Sequence, residues 1–294
     1  MILVVGATGS LGAAIARRLL ADGREVRVLV RPHSSYDDLV QAGAEAALGD
    51  LKDSESLRSA CSGIDTVITT ATAVGRGGED TIDSVDLHGN QHLIDAAKGE
   101  GVGRFVFTSV LGASPESPVP LIRAKGLAEQ RLTSSGMDWV ILQPNLYMDT
   151  WVPMVVGAPF LAGDPVTLVA EGRRRHSMVA MRDVVAYALA ALDHEAATNQ
   201  RLVVGGPDAI SWRDVLAVFE QVLGREVPVR TVPLGQPVEG LPAQVNALFH
   251  GLETYDSPLD MRELSGTYGV EPTSIRQFVE GFLSTVQPAQ RNAG

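Results

Sequence analysis

The chain has 294 residues, 45% of them hydrophobic and 20% charged, with a formal net charge of −11 and one cysteine. This composition excludes a disordered chain and an internally disulfide-bonded scaffold, and the acidity argues against broad electrostatic binding to nucleic acid or to an anionic membrane. No targeting segment is visible and no stretch approaches the ~18 apolar residues that span a bilayer, so we expect a cytoplasmic protein in a reducing compartment.

The first half of the chain alternates short β-branched runs with helical patterns. Repeated strand–helix units build a parallel sheet that is covered by helices on both faces. The predicted strands are Ile2–Val5, Val26–Val30, Ala44–Leu48, Asp65–Thr70, Arg104–Thr108 and Trp139–Leu142, and the predicted helices are Ala13–Leu20, Tyr36–Ala42, Ser54–Ser62, Ser84–Gly99 and Ile122–Ser134. We therefore predict an α/β fold with a doubly wound parallel sheet over residues 1–150.

The second half lacks this alternation. Its prolines exclude one regular element over Met148–Val169. The elements predicted beyond it are the helices Val179–Leu192, Trp212–Leu223, Ala243–Gly251 and Ser274–Thr285 and the strands Leu202–Val204 and Val227–Val232. We predict a smaller substrate lobe at residues 151–286, interwoven with the sheet, and a frayed tail at 287–294.

A glycine-rich loop joins the first strand to the first helix. It reads Gly6-Ala7-Thr8-Gly9-Ser10-Leu11-Gly12. Gly6 permits a tight turn, Gly9 lets the backbone approach a pyrophosphate, and Gly12 lets the helix pack closely on the strand. The helix N-terminus adds N–H groups and a positive dipole end, and Thr8 and Ser10 add hydroxyl donors. This pattern predicts a dinucleotide-binding loop of the Rossmann type rather than a turn that serves packing alone.

The residue after the second strand indicates which dinucleotide is bound. NAD-specific sites usually place a carboxylate there to hold the ribose 2′-hydroxyl, whereas this chain has Arg31. An arginine can pair with the 2′-phosphate of NADP, and Ser34 can donate a further hydrogen bond. A solvated surface arginine is the alternative. We predict NADP(H) as the preferred cofactor, with NAD(H) possible.

Several blocks in the chain form an ordered set. Besides the glycine loop they are Gly49-Asp50-Leu51, Phe105-Val106-Phe107-Thr108-Ser109, Arg123-Ala124-Lys125, Gln143-Pro144-Asn145 and the segment from His176 to Val184. Together they resemble the atypical, NmrA-like branch of the short-chain dehydrogenase/reductase superfamily, which includes isoflavone-reductase-like enzymes. The resemblance implies that Asp50 and Leu51 border the adenine, that Lys125 hydrogen-bonds the nicotinamide ribose, and that Pro144 and Asn145 lie beside the nicotinamide. The predicted cofactor-binding set also includes Thr70, Ala71 and Thr72.

The chain departs from the superfamily at its usual proton donor. Typical members carry Tyr-x-x-x-Lys, but Leu121 stands four residues before Lys125 and cannot transfer a proton. The catalytic candidates that remain are Lys125, Ser109 at the end of the fifth strand, and Tyr147 after the sixth. Each also has a structural interpretation, namely a ribose clamp, a strand-end hydrogen bond and a packed tyrosine.

Two functions remain open at this stage. One is an NADP(H)-dependent oxidoreductase that transfers hydride to a small apolar carbonyl, enone or quinone, with Trp151–Leu168 forming much of the substrate wall. The other is a non-catalytic NmrA-like redox sensor or assembly factor, which the missing tyrosine favours; an extended-type epimerase would need that tyrosine. His88 and His92 lack an evident third ligand, so we predict no metal. We expect a monomer or homodimer that acts on a small molecule and binds neither nucleic acid nor membrane.

Overall fold

A computed structural model describes residues 1–291, without the side chains of 287–291. Two compact units divide the chain. The first unit comprises Met1–Pro144 and Val184–Val203, and the second comprises Asn145–Asp183 and the chain from Val204 onward. The chain thus enters each unit twice, and the boundary falls at Pro144 rather than at residue 150.

The first unit contains a seven-stranded sheet. Its strands are β1 (Ile2–Val5), β2 (Val26–Val30), β3 (Glu45–Leu48), β4 (Thr66–Thr69), β5 (Arg104–Thr108), β6 (Asp138–Pro144) and β8 (Gln200–Val204), in the spatial order β3-β2-β1-β4-β5-β6-β8. All neighbours from β3 to β6 pair in parallel. The reversal of order at β1 confirms the predicted doubly wound sheet and creates a crevice at its carboxyl edge.

Helices cover this sheet and bury its apolar residues. They are α1 (Ser10–Ala21), α2 (Asp37–Gln41), α3 (Ser54–Cys61), α4 (Asn90–Gly99), α5 (Pro120–Thr133) and α8 (Met181–Asp193). In one core, Leu57 of α3, Leu93 of α4 and Leu132 of α5 pack with Phe105 and Phe107 of β5. All five side chains are buried, since a parallel sheet is shielded on both faces.

A wide helical turn precedes α4. Residues Ile82–Gly89 form a π-helix that continues into α4, so the helix predicted from Ser84 begins at Ile82. Thr81 caps it, because its Oγ1 accepts from the Ser84 N–H at 3.0 Å and its own N–H donates to Ser84 Oγ at 2.9 Å. A Cβ on Gly89 would lie 2.9 Å from the Cβ of Leu51. The glycine therefore lets this helix approach the loop after β3.

The second unit begins with a helical run that contains prolines. It comprises α6 (Met148–Val152), a π-helical turn (Pro153–Gly157) and α7 (Ala158–Ala162), and ends at Gly163, whose φ is +78°. The prolines start the π-turn and the first turn of α7, where a missing N–H is tolerated. Strand β7 (Val166–Val169) follows, so Met148–Val169 is not one regular element, as predicted.

The rest of the second unit encloses an aromatic core. Its elements are the strand β9 (Val229–Val232), which pairs in parallel with β7, and the helices α9 (Trp212–Leu223), α10 (Ala243–Leu252), α11 (Arg262–Tyr268) and α12 (Ile275–Arg291). The rings of Trp212, Phe219 and Phe249 are fully buried. Helix α11 has no predicted counterpart. The predicted frayed tail begins within α12 and ends outside the described residues, so it stays a prediction. Between residues 1 and 291, no helix is both long and apolar enough to cross a membrane.

Candidate cofactor-binding site

The glycine loop follows β1 directly and has two positions that exclude any side chain. Gly6 has φ +84°, and a Cβ there would lie 2.7 Å from Thr70 Oγ1. A Cβ on Gly12 would lie 2.3 Å from the carbonyl oxygen of Gly6. A Cβ on Gly9, in contrast, meets only that same oxygen at 3.4 Å. The tight turn and the close helix packing thus explain Gly6 and Gly12, whereas Gly9 leaves open space in front of the loop.

Helix α1 starts at this loop with an uncapped first turn. Gly9 is its N-cap residue, and no side chain among residues 1–286 caps it. The Gly9 N–H donates to the Gly6 carbonyl at 2.9 Å, which holds the turn, and the side chains of Thr8 and Ser10 are exposed. The first N–H groups of a helix have no intrahelical acceptor, so this end of α1 is suited to bind an anion such as a pyrophosphate.

A cleft with an empty volume of about 440 Å³ lies beside the loop. Predicted cofactor-binding residues from four different loops line it, and these are Gly6, Thr8, Arg31, Ser34, Asp50, Leu51 and Ala71. The carboxyl ends of parallel strands meet at one edge of the sheet, which is why residues distant in sequence come together here. Thr70 supports the loop from behind, since its N–H donates to the Val5 carbonyl at 2.9 Å, while Thr72 Oγ1 accepts from the Val74 N–H at 3.2 Å.

The end of the cleft near β2 carries a charged cluster around Asp80. Arg31 Nη1 lies 2.9 Å from Asp80 Oδ2, and Lys52 Nζ lies 2.8 Å from Asp80 Oδ1. The hydrogen bond from Lys52 and the charge of Arg31 hold the pKa of the Asp80 carboxyl below its usual value, and Asp80 raises the pKa of Lys52. Arg76 lines the same cleft. Sequence reasoning found Arg31 here but missed Lys52, Arg76 and Asp80.

Lys125 is buried on α5, where its ammonium donates two hydrogen bonds and forms one ion pair. Its Nζ lies 3.1 Å from Asp86 Oδ1, 3.2 Å from the Ala71 carbonyl oxygen and 3.3 Å from that of Thr108. Lys125 thus links the ends of β4 and β5 to the π-helix, and the ribose contact that the resemblance implies stays a prediction.

Ser109 also has an internal partner. Its Oγ donates to Glu129 Oε1 at 2.5 Å, and Glu129 is in turn bound by Gln143 Nε2 at 2.8 Å and by Arg201 Nε at 2.9 Å. Ser109 and Glu129 are both buried. Because a serine has one proton to donate, Ser109 in this arrangement has none left for a substrate carbonyl, and its acceptor is the Glu129 side chain rather than a backbone group at the strand end.

The candidates after β6 fall in different units. Pro144 closes β6 in the first unit, whereas Asn145 and Tyr147 belong to the second. The Asn145 amide is engaged, since its Nδ2 donates to Ser257 Oγ at 3.0 Å and its Oδ1 accepts from the Leu146 N–H at 2.9 Å. Tyr147 is half-buried at the start of α6, and burial raises the pKa of its phenol. Its hydroxyl is therefore protonated at neutral pH.

No metal centre emerges from the part of the chain that the structure describes. His88 and His92 are exposed, on the π-helix and α4 respectively. No group of three potential ligands from His, Cys, Asp and Glu was found among the described residues.

A glycine-loop cleft at the carboxyl edge of a doubly wound parallel sheet defines a dinucleotide-binding protein. Comparison with known families agrees, because the model of the NAD(P)H-binding family matches residues 6–195. The chain belongs to this NAD(P)H-binding family, which confirms the resemblance stated from the sequence.

Individual relatives differ in what they are named for. The chain is 33% identical to an NAD(P)H azoreductase of Xenophilus azovorans over 82% of its own length and 80% of the relative's. It is 32% identical to a photosystem II assembly factor of Cyanophora paradoxa over 79% and 72% of the two lengths. A solved structure of an NADPH-dependent quinone oxidoreductase from Escherichia coli shares the fold, with a TM-score of 0.81, 20% identity, and coverage of 96% and 100%.

Proposed function

We propose that this protein is an NADPH-dependent reductase that transfers hydride to a small apolar acceptor, such as a quinone, an enone or another conjugated carbonyl. One observation carries the choice of cofactor: Arg31 lines the glycine-loop cleft at the end of β2, with Lys52 linked to it through Asp80. Two adjacent cations suit the 2′-phosphate that distinguishes NADP from NAD. The azoreductase relative supports the reductase activity.

The candidate proton donors are absent or already hydrogen-bonded within the protein, and this favours quinones and enones over simple ketones as substrates. Leu121 has no proton, the Ser109 hydroxyl donates to Glu129, and the Lys125 ammonium faces three internal acceptors. Bound nicotinamide would supply the hydride. Hydride addition to a quinone or an enone gives a delocalised anion, which is a weaker base than an alkoxide and takes its proton from water without a positioned acid. We therefore propose that the chain binds and orients these acceptors and leaves protonation to solvent or to the neutral Tyr147 phenol.

Steady-state oxidation of NADPH by the full chain tests this proposal. We expect quinones and enones to be turned over at least about tenfold faster than saturated ketones matched in size. The variant Tyr147→Phe separates the two proton sources, because its turnover stays unchanged if water protonates the product. Absence of NADPH oxidation with every acceptor, in a protein that binds NADPH, would contradict the reductase proposal.

A second candidate function is a non-catalytic NADP(H) sensor or assembly factor. It is favoured by the internal engagement of Lys125 together with the absence of a tyrosine at position 121. The assembly-factor relative is consistent with it. Both candidate functions require cofactor binding, so only turnover of NADPH distinguishes them.

The cofactor preference has its own test. We expect Arg31→Ala to weaken NADPH binding about tenfold or more and to leave NADH binding unchanged, because only NADPH carries the 2′-phosphate. Arg18→Ala is the matched control, since Arg18 is exposed on α1 and paired with Asp22. Equal NADPH affinity in both variants would contradict the 2′-phosphate assignment. We further propose a cytoplasmic location, which the single cysteine supports, and a monomer or homodimer.

A further inference from the structure

Asp80 occupies an unusual place for an acid in a cleft that we propose to bind a 2′-phosphate. Its two carboxylate oxygens each hold one of the two cations, with Arg31 at 2.9 Å and Lys52 at 2.8 Å. The Asp80 side chain is 7% exposed, whereas those of Arg31 and Lys52 are 42% and 39% exposed. Asp80 and Arg31 both line the cleft, so the carboxylate borders the space that a 2′-phosphate would enter and neutralises both cations there.

The backbone around Asp80 holds this carboxylate in position. Asp80 directly precedes Thr81, whose side chain and N–H form the capping box with Ser84. At the other end of the connection, the Ala73 N–H donates to buried Asp86 Oδ2 at 2.9 Å. The intervening glycines Gly75, Gly77 and Gly78 all have positive φ. The capping box fixes the backbone next to Asp80 and so holds its carboxylate beside an incoming anion.

We propose that Asp80 is a specificity-determining residue of the cofactor cleft, which weakens binding of NADP(H) relative to NAD(H). A 2′-phosphate must share Arg31 and Lys52 with a fixed like charge, and repulsion at this short range opposes its binding. A ribose 2′-hydroxyl meets no such penalty, because a carboxylate accepts its hydrogen bond. Asp80 thus supplies, from the loop after β4, the acid that NAD-specific proteins place after β2. This inference rests on the proposed NADP(H) site.

The variant Asp80→Asn tests the inference in the full chain, because asparagine keeps the shape and removes the charge. We expect the ratio of the NADH to the NADPH dissociation constant to rise about tenfold. Glu79→Gln is the matched control, since it removes the same charge from the same loop at an exposed position, and its ratio should stay at that of the unmodified protein. A ratio that is unchanged or lower in Asp80→Asn would overturn the inference.

A measurement on the unmodified protein covers the case in which Asp80→Asn fails to fold. Carboxyl-carbon NMR reports the pKa of Asp80, which the two cations hold below its usual value. We expect 2′,5′-ADP to raise this pKa, because its phosphate takes up part of the cationic charge, and ADP to lower it, because its ribose 2′-hydroxyl donates a hydrogen bond to the carboxylate. Equal effects of the two nucleotides would overturn the inference. Binding of NADH but not NADPH by the unmodified protein would contradict the proposed cofactor preference, whereas an unchanged ratio in Asp80→Asn with normal NADPH binding would overturn the role of Asp80 alone.

Discussion

Lys125 and Asp86 form an ion pair inside the first unit, with 3.1 Å between Nζ and Oδ1 and side chains that are 4% and 0% exposed. Two charges this deep are stable only when both are paired and hydrogen-bonded. The Ala71 and Thr108 carbonyls complete the Lys125 shell, and the Ala73 N–H binds the other Asp86 oxygen. The pair therefore joins the strand ends that border the cofactor cleft.

We expect Asp86→Asn to lower the free energy of unfolding by about 3–5 kcal/mol, because it leaves the Lys125 ammonium buried without a counter-charge. Urea unfolding monitored by circular dichroism gives this number. The double variant Asp86→Leu with Lys125→Met removes both charges and should recover a large part of the loss.

Asp95→Asn provides the comparison for a surface pair. Asp95 lies on α4, where its Oδ1 is 2.7 Å from Arg131 and both side chains are about half exposed. Solvent screens such a pair, so its loss should cost under about 1 kcal/mol. Equal destabilisation by Asp86→Asn and Asp95→Asn would contradict the importance of the buried pair.

The glycine loop predicts that two alanine substitutions have different consequences. Gly12→Ala should lower stability by about 1–3 kcal/mol, because the new methyl group would lie 2.3 Å from the Gly6 carbonyl oxygen. Gly9→Ala should leave stability within about 0.5 kcal/mol, since its φ of −90° suits alanine and the nearest atom is at 3.4 Å. NADPH binding should weaken in both variants, because the Gly9 methyl group stands in front of the loop where the pyrophosphate approaches.

Calorimetry for stability and fluorescence titration for binding separate these effects. Gly99→Ala, at the end of α4 with no atom within 4 Å of the added Cβ, should change neither quantity adversely. Normal NADPH affinity in Gly9→Ala would show that the pyrophosphate does not approach this glycine.

Cys61 should be unreactive in the folded protein. It is fully buried at the end of α3, and burial raises the pKa of its thiol from 9.0 to about 12. The thiol contribution to stability is complete below pH 9 and is lost as the pH rises from 9 to 12, because the unfolded thiol ionises first. We expect a thiol reagent to modify one group after denaturation and none before it. Cys61→Ala should show less alkaline loss of stability than the unmodified chain, and rapid native-state labelling would contradict the prediction.

The buried side chain of His176 should make the protein less stable as the pH falls below 6.5. Its Nδ1 lies 2.7 Å from Ser257 Oγ and its Nε2 lies 3.0 Å from the Leu252 carbonyl oxygen. Burial lowers the pKa of this imidazole below 6.5, an effect that outweighs the opposing hydrogen bond to the Leu252 carbonyl and the charge of Asp256. The unfolded chain therefore takes up the proton first, so the stabilisation is present above pH 6.5 and is lost as the pH falls.

The comparison of His176→Asn with His33→Asn measures this contribution. His33 is exposed in the loop after β2, so its substitution should leave the dependence of unfolding free energy on pH unchanged. His176→Asn should reduce the slope between about pH 7 and pH 5. Identical slopes in the two variants would contradict a role for the buried imidazole.

Local patterns in the sequence were sufficient to predict the sheet and several residues that line the glycine-loop cleft. The turn at Gly6, the close packing at Gly12 and the position of Arg31 after β2 each depend on a few consecutive residues, and a strand–loop–helix pattern records all of them. The catalytic candidates were harder to interpret. Lys125 and Ser109 were identified by type and position, but a sequence does not show that their donors are already engaged.

These hydrogen bonds and ion pairs join residues that are distant along the chain. Asp86 reaches Lys125 from the π-helix, and Glu129 reaches Ser109 from α5. Asp80 reaches Arg31 across 49 positions of sequence. The sequence by itself determined the alternating strands and helices and the phosphate loop, because hydrophobic period and glycine spacing act over short distances. Only the tertiary structure decided which charges are paired, because pairing depends on which strand ends and loops meet at the carboxyl edge of the sheet.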